Sequence, residues 1–399
     1  MPRFGLVLLL LLAACASTKS PSAQEAANKR WNDARANVLS TLAADQYANG
    51  NFDKARSTID QAIRLSPDNA AGRVLSAKLY IEAGQLEAAE RELLQALRDD
   101  PANAEAEYLS GVVYQRWQQP QRALEFYQRA CDKAPAELAY VMAKAEMLVA
   151  MGRRDEALAM LQAKVAYFEH SGAIRDEVGL LLVQQGRYPQ AIEMFRRAGI
   201  LAPDDLTIKE HLAMALFYAK EYSESAGILS SLLADAKFEK RCDLMTALGE
   251  CQLQTGHGGE AVHSFQQASD IAPDSKGAWL GLARAQLQLN QPHRAELALR
   301  RCLAIDDANS QANLLLGYVQ LGQDRLSEAY ASFARASQLD PTDTVSLCMV
   351  GLTLDRLGRG SQAAACYRRV LKMNPGDELA GRLLARLDGQ APGPSGLDR

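Results

Sequence analysis

One short stretch, from His257 to His263 with Glu260 between them, holds residue types that could bind a metal ion. A helical zinc site needs two histidines four residues apart on one helix face, with the glutamate beside the first histidine. Here the histidines are six residues apart, and Gly258-Gly259 follows the first of them, so that it lies in a turn. The other histidines are scattered, at His170, His211 and His293. We therefore predict surface histidines and no metal site.

No other arrangement of side chains indicates catalysis. The chain contains neither a glycine-rich phosphate loop nor the nucleophile turn of serine hydrolases, and its carboxylates are scattered along helical patterns. Carboxylates distributed in this way usually keep a helical protein soluble. The sequence predicts a protein that is not an enzyme and that has no catalytic residues, no cofactor and no small-molecule substrate.

Cysteine is the remaining reactive residue type, with seven in the chain. Cys348 and Cys366 fall at similar heights on two helices that we expect to be antiparallel neighbours, so a disulfide between them is geometrically conceivable. Helical arrays of this length have adequate cores without disulfides. The sequence leaves this pair open as either a disulfide or two free thiols.

A repeat of 34 residues organises most of the chain. Between Gly172 and Asp205, apolar residues recur at helical intervals on both sides of Gly186, which indicates two helices joined by a turn. Small residues at Gly179 and Ala191 let the two helices approach closely. The same spacing occurs ten times, with a two-residue insertion in the sixth repeat, and the repeats begin at Ala36, Ala70, Ala104, Leu138, Gly172, Leu206, Cys242, Lys276, Ser310 and Thr344.

The residues shared by the repeats define a family pattern. Counting from the first residue of each repeat, Gly or Ala stands at place 8, Ala or Ser at place 20, and a proline closes seven of the ten repeats. This pattern resembles the tetratricopeptide repeat. The resemblance implies an all-α fold, a right-handed superhelix (α-solenoid) of about ten helical hairpins plus a C-terminal capping helix.

The N-terminus has the features of a processing signal. Arg3 precedes an apolar run from Leu6 to Leu12, which is far shorter than the roughly 20 residues of a membrane-spanning helix. The following Leu12-Ala13-Ala14-Cys15 resembles the lipobox of bacterial lipoproteins. That resemblance implies a lipid on Cys15 and, because residue 16 is Ala rather than Asp, a Gram-negative outer-membrane lipoprotein facing the periplasm.

Together these patterns predict six segments along the chain. They are a signal peptide (1–14), a lipidated cysteine with a tether (15–23), an N-terminal capping helix (24–35), ten repeats (36–377), a C-terminal capping helix (378–388) and a disordered tail (389–399).

The family resemblance also implies a surface for binding partners. In this family the first helix of each repeat lines the concave groove with the side chains at places 2, 5, 9 and 12. Most residues at these places are apolar here, and such a surface usually marks a site for a protein partner. The alternative is that the same side chains pack between neighbouring repeats. We predict a groove formed by Val74, Ile81, Tyr108, Val112, Met142, Asp176, Leu180, Val183, Met214, Phe217, Leu280 and Tyr318.

Charge and composition narrow the classes of partner. With 44 basic and 48 acidic residues the net charge is −4, and no basic stripe of the kind that binds nucleic acid is present. We expect protein partners of an envelope assembly and attachment to a membrane through the N-terminal lipid. Anchor and repeats together resemble lipoproteins that support the assembly of type IV or Tad pili and of secretin-type secretion systems. The alternative is a scaffold for exopolysaccharide export or for periplasmic cell-wall hydrolases.

Overall fold

A computed structural model of the protein describes residues 23–389. Every regular element in that range is an α-helix, which confirms the predicted all-α class. The helices are α1 (Ala23–Ala48), α2 (Phe52–Leu65), α3 (Ala70–Glu82), α4 (Leu86–Asp99), α5 (Ala104–Arg116), α6 (Pro120–Lys133), α7 (Leu138–Ala150), α8 (Arg154–Val165), α9 (Gly172–Gln184), α10 (Tyr188–Leu201), α11 (Leu206–Tyr218), α12 (Tyr222–Leu233), α13 (Cys242–Gln254), α14 (Gly258–Ile271), α15 (Lys276–Gln288), α16 (Pro292–Ile305), α17 (Ser310–Gly322), α18 (Leu326–Leu339), α19 (Thr344–Arg356), α20 (Gly360–Met373) and α21 (Glu378–Leu387).

The helices belong to two compact bodies, divided between Ile174 and Arg175. Within each body a helix packs mainly against the helix before it and the helix after it. Neighbour-to-neighbour packing of this kind is that of an α-solenoid, in which each hairpin buries its apolar face on the next. The division falls just after the fourth repeat, where Lys164 replaces the usual alanine of place 27 and no proline closes the repeat.

The ends of the described region bear on the predicted segments. Helix α1 continues without a break from Ala23 to Ala48, so the segment expected to form a separate cap is joined to the first helix of repeat one. At the other end, α21 covers the segment predicted as a C-terminal cap. The signal peptide, the lipid attachment at Cys15, the tether except Ala23 and the tail except Gly389 lie outside the described residues.

Each repeat turns between its two helices at place 15 with a left-handed backbone. Six of these ten residues are glycines, as at Gly186 (φ 71°), and the others include Gln118 (φ 58°) and Lys220 (φ 64°). A left-handed residue just after a helix allows the chain to reverse while the last carbonyls still accept hydrogen bonds. Glycine adopts this conformation without the steric cost that a side chain carries.

Six of the first helices begin at a polar side-chain cap, namely α3, α5, α11, α15, α17 and α19. Asn69 Oδ1 accepts a hydrogen bond of 3.0 Å from the backbone N–H of Gly72, and Asn309 Oδ1 accepts one of 2.9 Å from Ala312. These caps satisfy backbone donors that have no partner inside the helix. They explain why α3 and α17 begin where the repeat pattern places them.

Places 8 and 24 hold side chains of complementary size in every repeat. A glycine at place 8 always faces an aromatic residue at place 24, and an alanine always faces Leu or Ile. The pairs are Ala43 with Ile59, Ala77 with Leu93, Gly111 with Tyr127, Ala145 with Leu161, Gly179 with Phe195, Ala213 with Leu229, Gly249 with Phe265, Ala283 with Leu299, Gly317 with Phe333 and Gly351 with Tyr367. A methyl group at Gly317 would lie 2.6 Å from ring carbons of Phe333, so the aromatic ring fills the space left by the absent side chain.

Candidate protein-binding surface

The first-helix face is the side of the first helices that carries places 2, 5, 9 and 12, together with the side chains that pack directly against residues at those places. First helices of neighbouring repeats contact one another directly, as α1 does with α3 and α3 with α5 in the first body, and α13 with α15 in the second. Because these helices are adjacent, their equivalent places line up from one repeat to the next within each body. The repeat spacing therefore brings residues about 34 positions apart onto one surface.

The predicted groove residues differ in their exposure. Val74 and Ile81 are only 3% and 4% exposed and lie in a core cluster with Ala77 and Leu93, so they contribute to packing and not to an open surface. The first-helix face of the second repeat is thus less apolar than the sequence indicated. Tyr318 is 38% exposed. The half-buried members are Tyr108, Val112, Met142, Asp176, Leu180, Val183, Met214, Phe217 and Leu280.

Tyrosine rings form a layer on the first-helix face of repeats three and four. The ring of Tyr108 stacks on that of Tyr140 with centroids 4.8 Å apart, and it lies 5.6 Å from the ring of Tyr127. The hydroxyl of Tyr127 donates a hydrogen bond of 2.5 Å to Gln115 Oε1. Burial, with a smaller contribution from the Glu105 carboxylate, raises the pKa of Tyr140. The rings of Tyr108 and Tyr140 are half-buried, whereas Tyr127 beneath them is only 1% exposed.

Sequence reasoning missed Tyr140, although its signal was present. It occupies place 3 of repeat four, outside the four places considered, and lies one repeat after Tyr108. Stacked aromatic rings bury a large apolar area in a defined geometry. The two tyrosines together form a stacked, half-buried apolar surface on this face.

Charges on the first-helix face are largely paired between neighbouring repeats. Lys78 Nζ lies 2.6 Å from Glu105 Oε1, and Arg284 Nη1 donates a hydrogen bond of 2.7 Å to Glu250 Oε2. Arg386 on α21 pairs in the same way with Asp355. Because each pair joins successive first helices, these charges connect repeats and leave little net charge on the face.

A histidine and a carboxylate meet on the same face in repeats five and six. Asp176 Oδ1 and His211 Nδ1 are 2.8 Å apart and partly buried. The hydrogen bond to Asp176 raises the pKa of His211 above its ordinary value, with burial acting in the opposite direction. This contact involves Asp176, the one charged residue in the predicted groove set.

The two-residue insertion of repeat six is accommodated by a buried aromatic residue and an ion-pair cluster. Phe238 is 8% exposed and packs in a core cluster with Leu229 and Leu232. Arg241 Nη2 donates hydrogen bonds of 2.7 Å to both Glu210 Oε1 and Asp243 Oδ2, which raises the pKa of the guanidinium. Phe238 therefore fills the space at the insertion, and Arg241 connects it to α11 and α13.

Aromatic side chains also gather around Phe217. Its ring lies 6.0 Å from Tyr222 and 5.5 Å from Tyr218, and Tyr218 stacks on Tyr188 with centroids 5.8 Å apart. Tyr218 is 47% exposed. The predicted residue Phe217 is thus the half-buried member of a cluster whose exposed member, Tyr218, the place rule does not include.

The residues that first suggested chemistry are separate in the structure. His257 is exposed at the start of α14, and its Nδ1 lies 2.9 Å from the hydroxyl of Thr255. Between residues 23 and 389, no three His, Cys, Asp or Glu side chains are grouped closely enough to hold a metal ion. Cys348 and Cys366 are both free thiols, which answers the question that the sequence left open.

Comparison with known sequences bears on the family. Sequence models described as tetratricopeptide repeat match residues 46–111, 142–205, 177–240, 252–317 and 345–377. The chain belongs to the tetratricopeptide repeat family. Its relatives are distant and longer. The DnaJ homolog subfamily C member 3 of Mus musculus is 20% identical over 268 residues, covering 63% of this chain and 48% of that protein.

A second curated relative shows the same limited overlap. Anaphase-promoting complex subunit 3 of Schizosaccharomyces pombe is 23% identical over 251 residues, which cover 62% of this chain and 37% of that protein. The chain thus spans about half or less of the length of these curated relatives. Among solved structures, the APC/C hetero-tetramer Cut9-Hcn1 is 12% identical with a TM-score of 0.47, covering 90% of this chain and 98% of that chain. A tetratricopeptide repeat protein from Parabacteroides merdae is 17% identical with a TM-score of 0.43, covering 63% and 98% respectively.

Proposed function

We propose that the protein is a non-catalytic adaptor that binds a segment of a protein partner on its first-helix face. The observation that carries this proposal is the stacked pair Tyr108 and Tyr140, whose half-buried rings form an apolar layer on the same face as the ion pair Lys78–Glu105. A partner segment that covers these rings gains apolar burial, while the surrounding ion pairs exclude partners of high net charge. The tetratricopeptide repeats supply the rigid helices on which this face is built.

We further propose that the adaptor is a lipoprotein of the Gram-negative outer membrane, facing the periplasm. The support is the sequence Leu12-Ala13-Ala14-Cys15 after an apolar run. No helix in the part of the chain that the structure describes is long and apolar enough to span a bilayer. An anchor of several acyl chains on Cys15 would hold the repeats stably at the membrane surface. The partner would then be a component of an envelope machine, such as a pilus or a secretin-type secretion system.

Charge substitutions on the first-helix face test the adaptor function. Tyr108→Glu and Phe217→Glu place a carboxylate among aromatic rings, and we expect both to lose a partner that is crosslinked in intact cells and identified by mass spectrometry. Ile200→Glu is the control, because Ile200 lies on a second helix and is 78% exposed. Equal recovery of the partner with all three variants would refute the proposal. A secretin or pilus subunit among the crosslinked proteins supports the envelope machine named above, whereas a polysaccharide porin or a murein hydrolase contradicts it.

The anchor is tested separately. Cys15→Ser removes the thiol to which the lipid would be attached, so the variant should leave the membrane fraction while it keeps its helical circular dichroism spectrum. Retention in the membrane fraction would contradict lipidation at Cys15.

A further inference from the structure

A buried or partly buried hydrogen bond between places 11 and 23 joins the two helices of several repeats. Gln252 at place 11 accepts a hydrogen bond of 2.7 Å from the hydroxyl of Ser264 at place 23. Gln320 accepts an equivalent bond of 2.7 Å from Ser332. In repeat one, Gln46 accepts a bond of 2.9 Å from Thr58. A glutamine at place 11 is thus matched by a hydroxyl at place 23.

Repeat eight keeps the glutamine but lacks the hydroxyl. Gln286 stands at place 11 and is 7% exposed, whereas place 23 is Ala298. The side-chain oxygen Oε1 of Gln286 is buried and has no hydrogen-bond partner. A buried acceptor without a donor is unfavourable, and a ligand that supplies an N–H or O–H group removes that penalty.

The unpaired glutamine lines an open groove of about 540 Å³ between α14 and α16, with α15 as its floor. Apolar side chains of Trp279, Leu282 and Leu297 line the same groove. The small side chain of Ala298 leaves room at this point that a larger residue would occupy. The groove lies within the second body and is separate from the first-helix face.

The rim of this groove is basic and exposed. Arg294, Leu297 and Arg301 follow one another at spacings of three and four residues, so they share one face of α16. Arg300, which also lines the groove, pairs with Glu296 at 2.8 Å. Within residues 23–389, Arg294 and Arg301 have no carboxylate at ion-pair distance, and Arg294 Nη1 makes only a long contact of 3.4 Å with Gln291 Oε1. Leu297 between them is 68% exposed. The rim thus offers two free positive charges on either side of an exposed apolar side chain.

We propose that this groove binds an acidic segment of a protein partner. The segment carries carboxylates for Arg294 and Arg301 beside an apolar side chain that covers Leu297, and an N–H or O–H group that donates to Gln286 Oε1. A protein segment fits better than a small molecule, because the exposed residues lie along the crest of α16 and not inside an enclosed cavity. This site goes beyond the proposed function, since it uses the second helices and requires neither the tyrosine layer nor the lipid.

Site-specific crosslinking locates the occupant. A photoreactive p-benzoylphenylalanine in place of Leu297 should crosslink, in intact cells, to a segment in which acidic and apolar residues alternate with helical spacing. The matched control carries the same group in place of Ala331, which occupies the equivalent place 22 on α18. Crosslinks that are no stronger from position 297 than from position 331, or a crosslinked segment without acidic residues, would overturn the proposal.

The crosslinked segment is then synthesised, labelled with fluorescein and titrated with the purified full chain. Ala298→Ser supplies the hydroxyl that repeats one, seven and nine have, so it should satisfy Gln286 internally and raise the Kd at least tenfold without lowering the thermal midpoint. Arg301→Glu should also raise the Kd at least tenfold, whereas Arg335→Glu, at the equivalent place of repeat nine, should change it less than twofold.

The pattern across the variants decides the outcome. If Ala298→Ser binds the peptide with unchanged affinity, the proposed role of Gln286 is refuted. If Arg301→Glu and Arg335→Glu lose the same affinity, the effect is one of overall protein charge, and the proposed role of Arg301 is refuted. If Ala298→Ser lowers the thermal midpoint, its affinity no longer reports on Gln286, and the proposal is then judged on Arg301→Glu and Arg335→Glu alone. Tyr108→Glu and Cys15→Ser should leave the affinity for this peptide unchanged, so failure here is distinguishable from failure of the adaptor function.

Discussion

Gly317 and Phe333 provide the sharpest test of how the repeats hold together. A methyl group at Gly317 would lie 2.6 Å from Cδ1 and Cε1 of the Phe333 ring and 2.9 Å from Cγ. Phe333 is fully buried, so its ring has little room to move away. Gly317→Ala therefore tests whether the pairing of small and large residues at places 8 and 24 is required for packing.

Two opposing terms set the size of the effect. Replacing a helical glycine with alanine favours the helix by roughly 0.5 to 1 kcal/mol. Overpacking a well-filled core costs about 1 to 3 kcal/mol, and this cost should dominate because the nearest atoms belong to a buried ring. We expect Gly317→Ala to lower the free energy of unfolding by up to about 2 kcal/mol. Phe333→Leu alone should also destabilise, because it leaves a cavity.

The double variant discriminates between explanations. Gly317→Ala with Phe333→Leu recreates the pair that Ala283 and Leu299 form in repeat eight. The double variant should lose less stability than the two single variants together, by about 0.5 to 3 kcal/mol, the range for residues in direct contact.

Urea unfolding followed by circular dichroism measures these effects on stability. Because repeat arrays often unfold through intermediates, hydrogen exchange of residues 326–339 adds a local measure of stability. Gly227→Ala is the control, since nothing lies within 4 Å of the added methyl group and only the helix-propensity gain should remain. Additive effects of the two substitutions would refute the reasoning.

Three further predictions concern charge, thiols and turns. Asp176 raises the pKa of His211 in the folded protein, so their contact stabilises the fold below about pH 6.5, and this stabilisation is lost as the pH rises through the folded pKa. The urea midpoint of the wild type should therefore fall more between pH 6 and pH 8 than that of Asp176→Asn. Parallel pH dependences of the two midpoints would contradict this prediction. Burial raises the pKa of the Cys348 thiol to about 11, so iodoacetamide should modify Cys348 more slowly than the half-buried Cys242 in the native protein. In the denatured protein without reductant, Ellman's reagent should detect the thiols of both Cys348 and Cys242. Lys220→Gly should raise the free energy of unfolding by about 0.5 to 1 kcal/mol, because φ is 64° at this turn and glycine adopts that backbone conformation without steric cost. An unchanged free energy of unfolding in urea would count against strain at this turn.

The sequence by itself determined the helices and their period. Helix α3 begins at Ala70 and α17 at Ser310, the residues where the 34-residue pattern starts its repeats. These boundaries depend on local signals, since capping side chains, left-handed turn residues and small residues at place 8 act within one hairpin. Local signals of this kind can be identified in a single sequence, and their recurrence in ten repeats makes the helix boundaries predictable.

The tertiary structure decided which side chains are available to a partner. Ile81 was predicted to line the groove and is buried, whereas Tyr140 was not considered and stacks on Tyr108. The sequence also did not predict that Gln286 Oε1 lacks a hydrogen-bond donor, because this depends on Ala298, which faces Gln286 from the other helix of the hairpin. Exposure, stacking and hydrogen bonding depend on atoms brought together from separate helices, and a repeat pattern specifies the positions of those helices without specifying how their individual side chains meet.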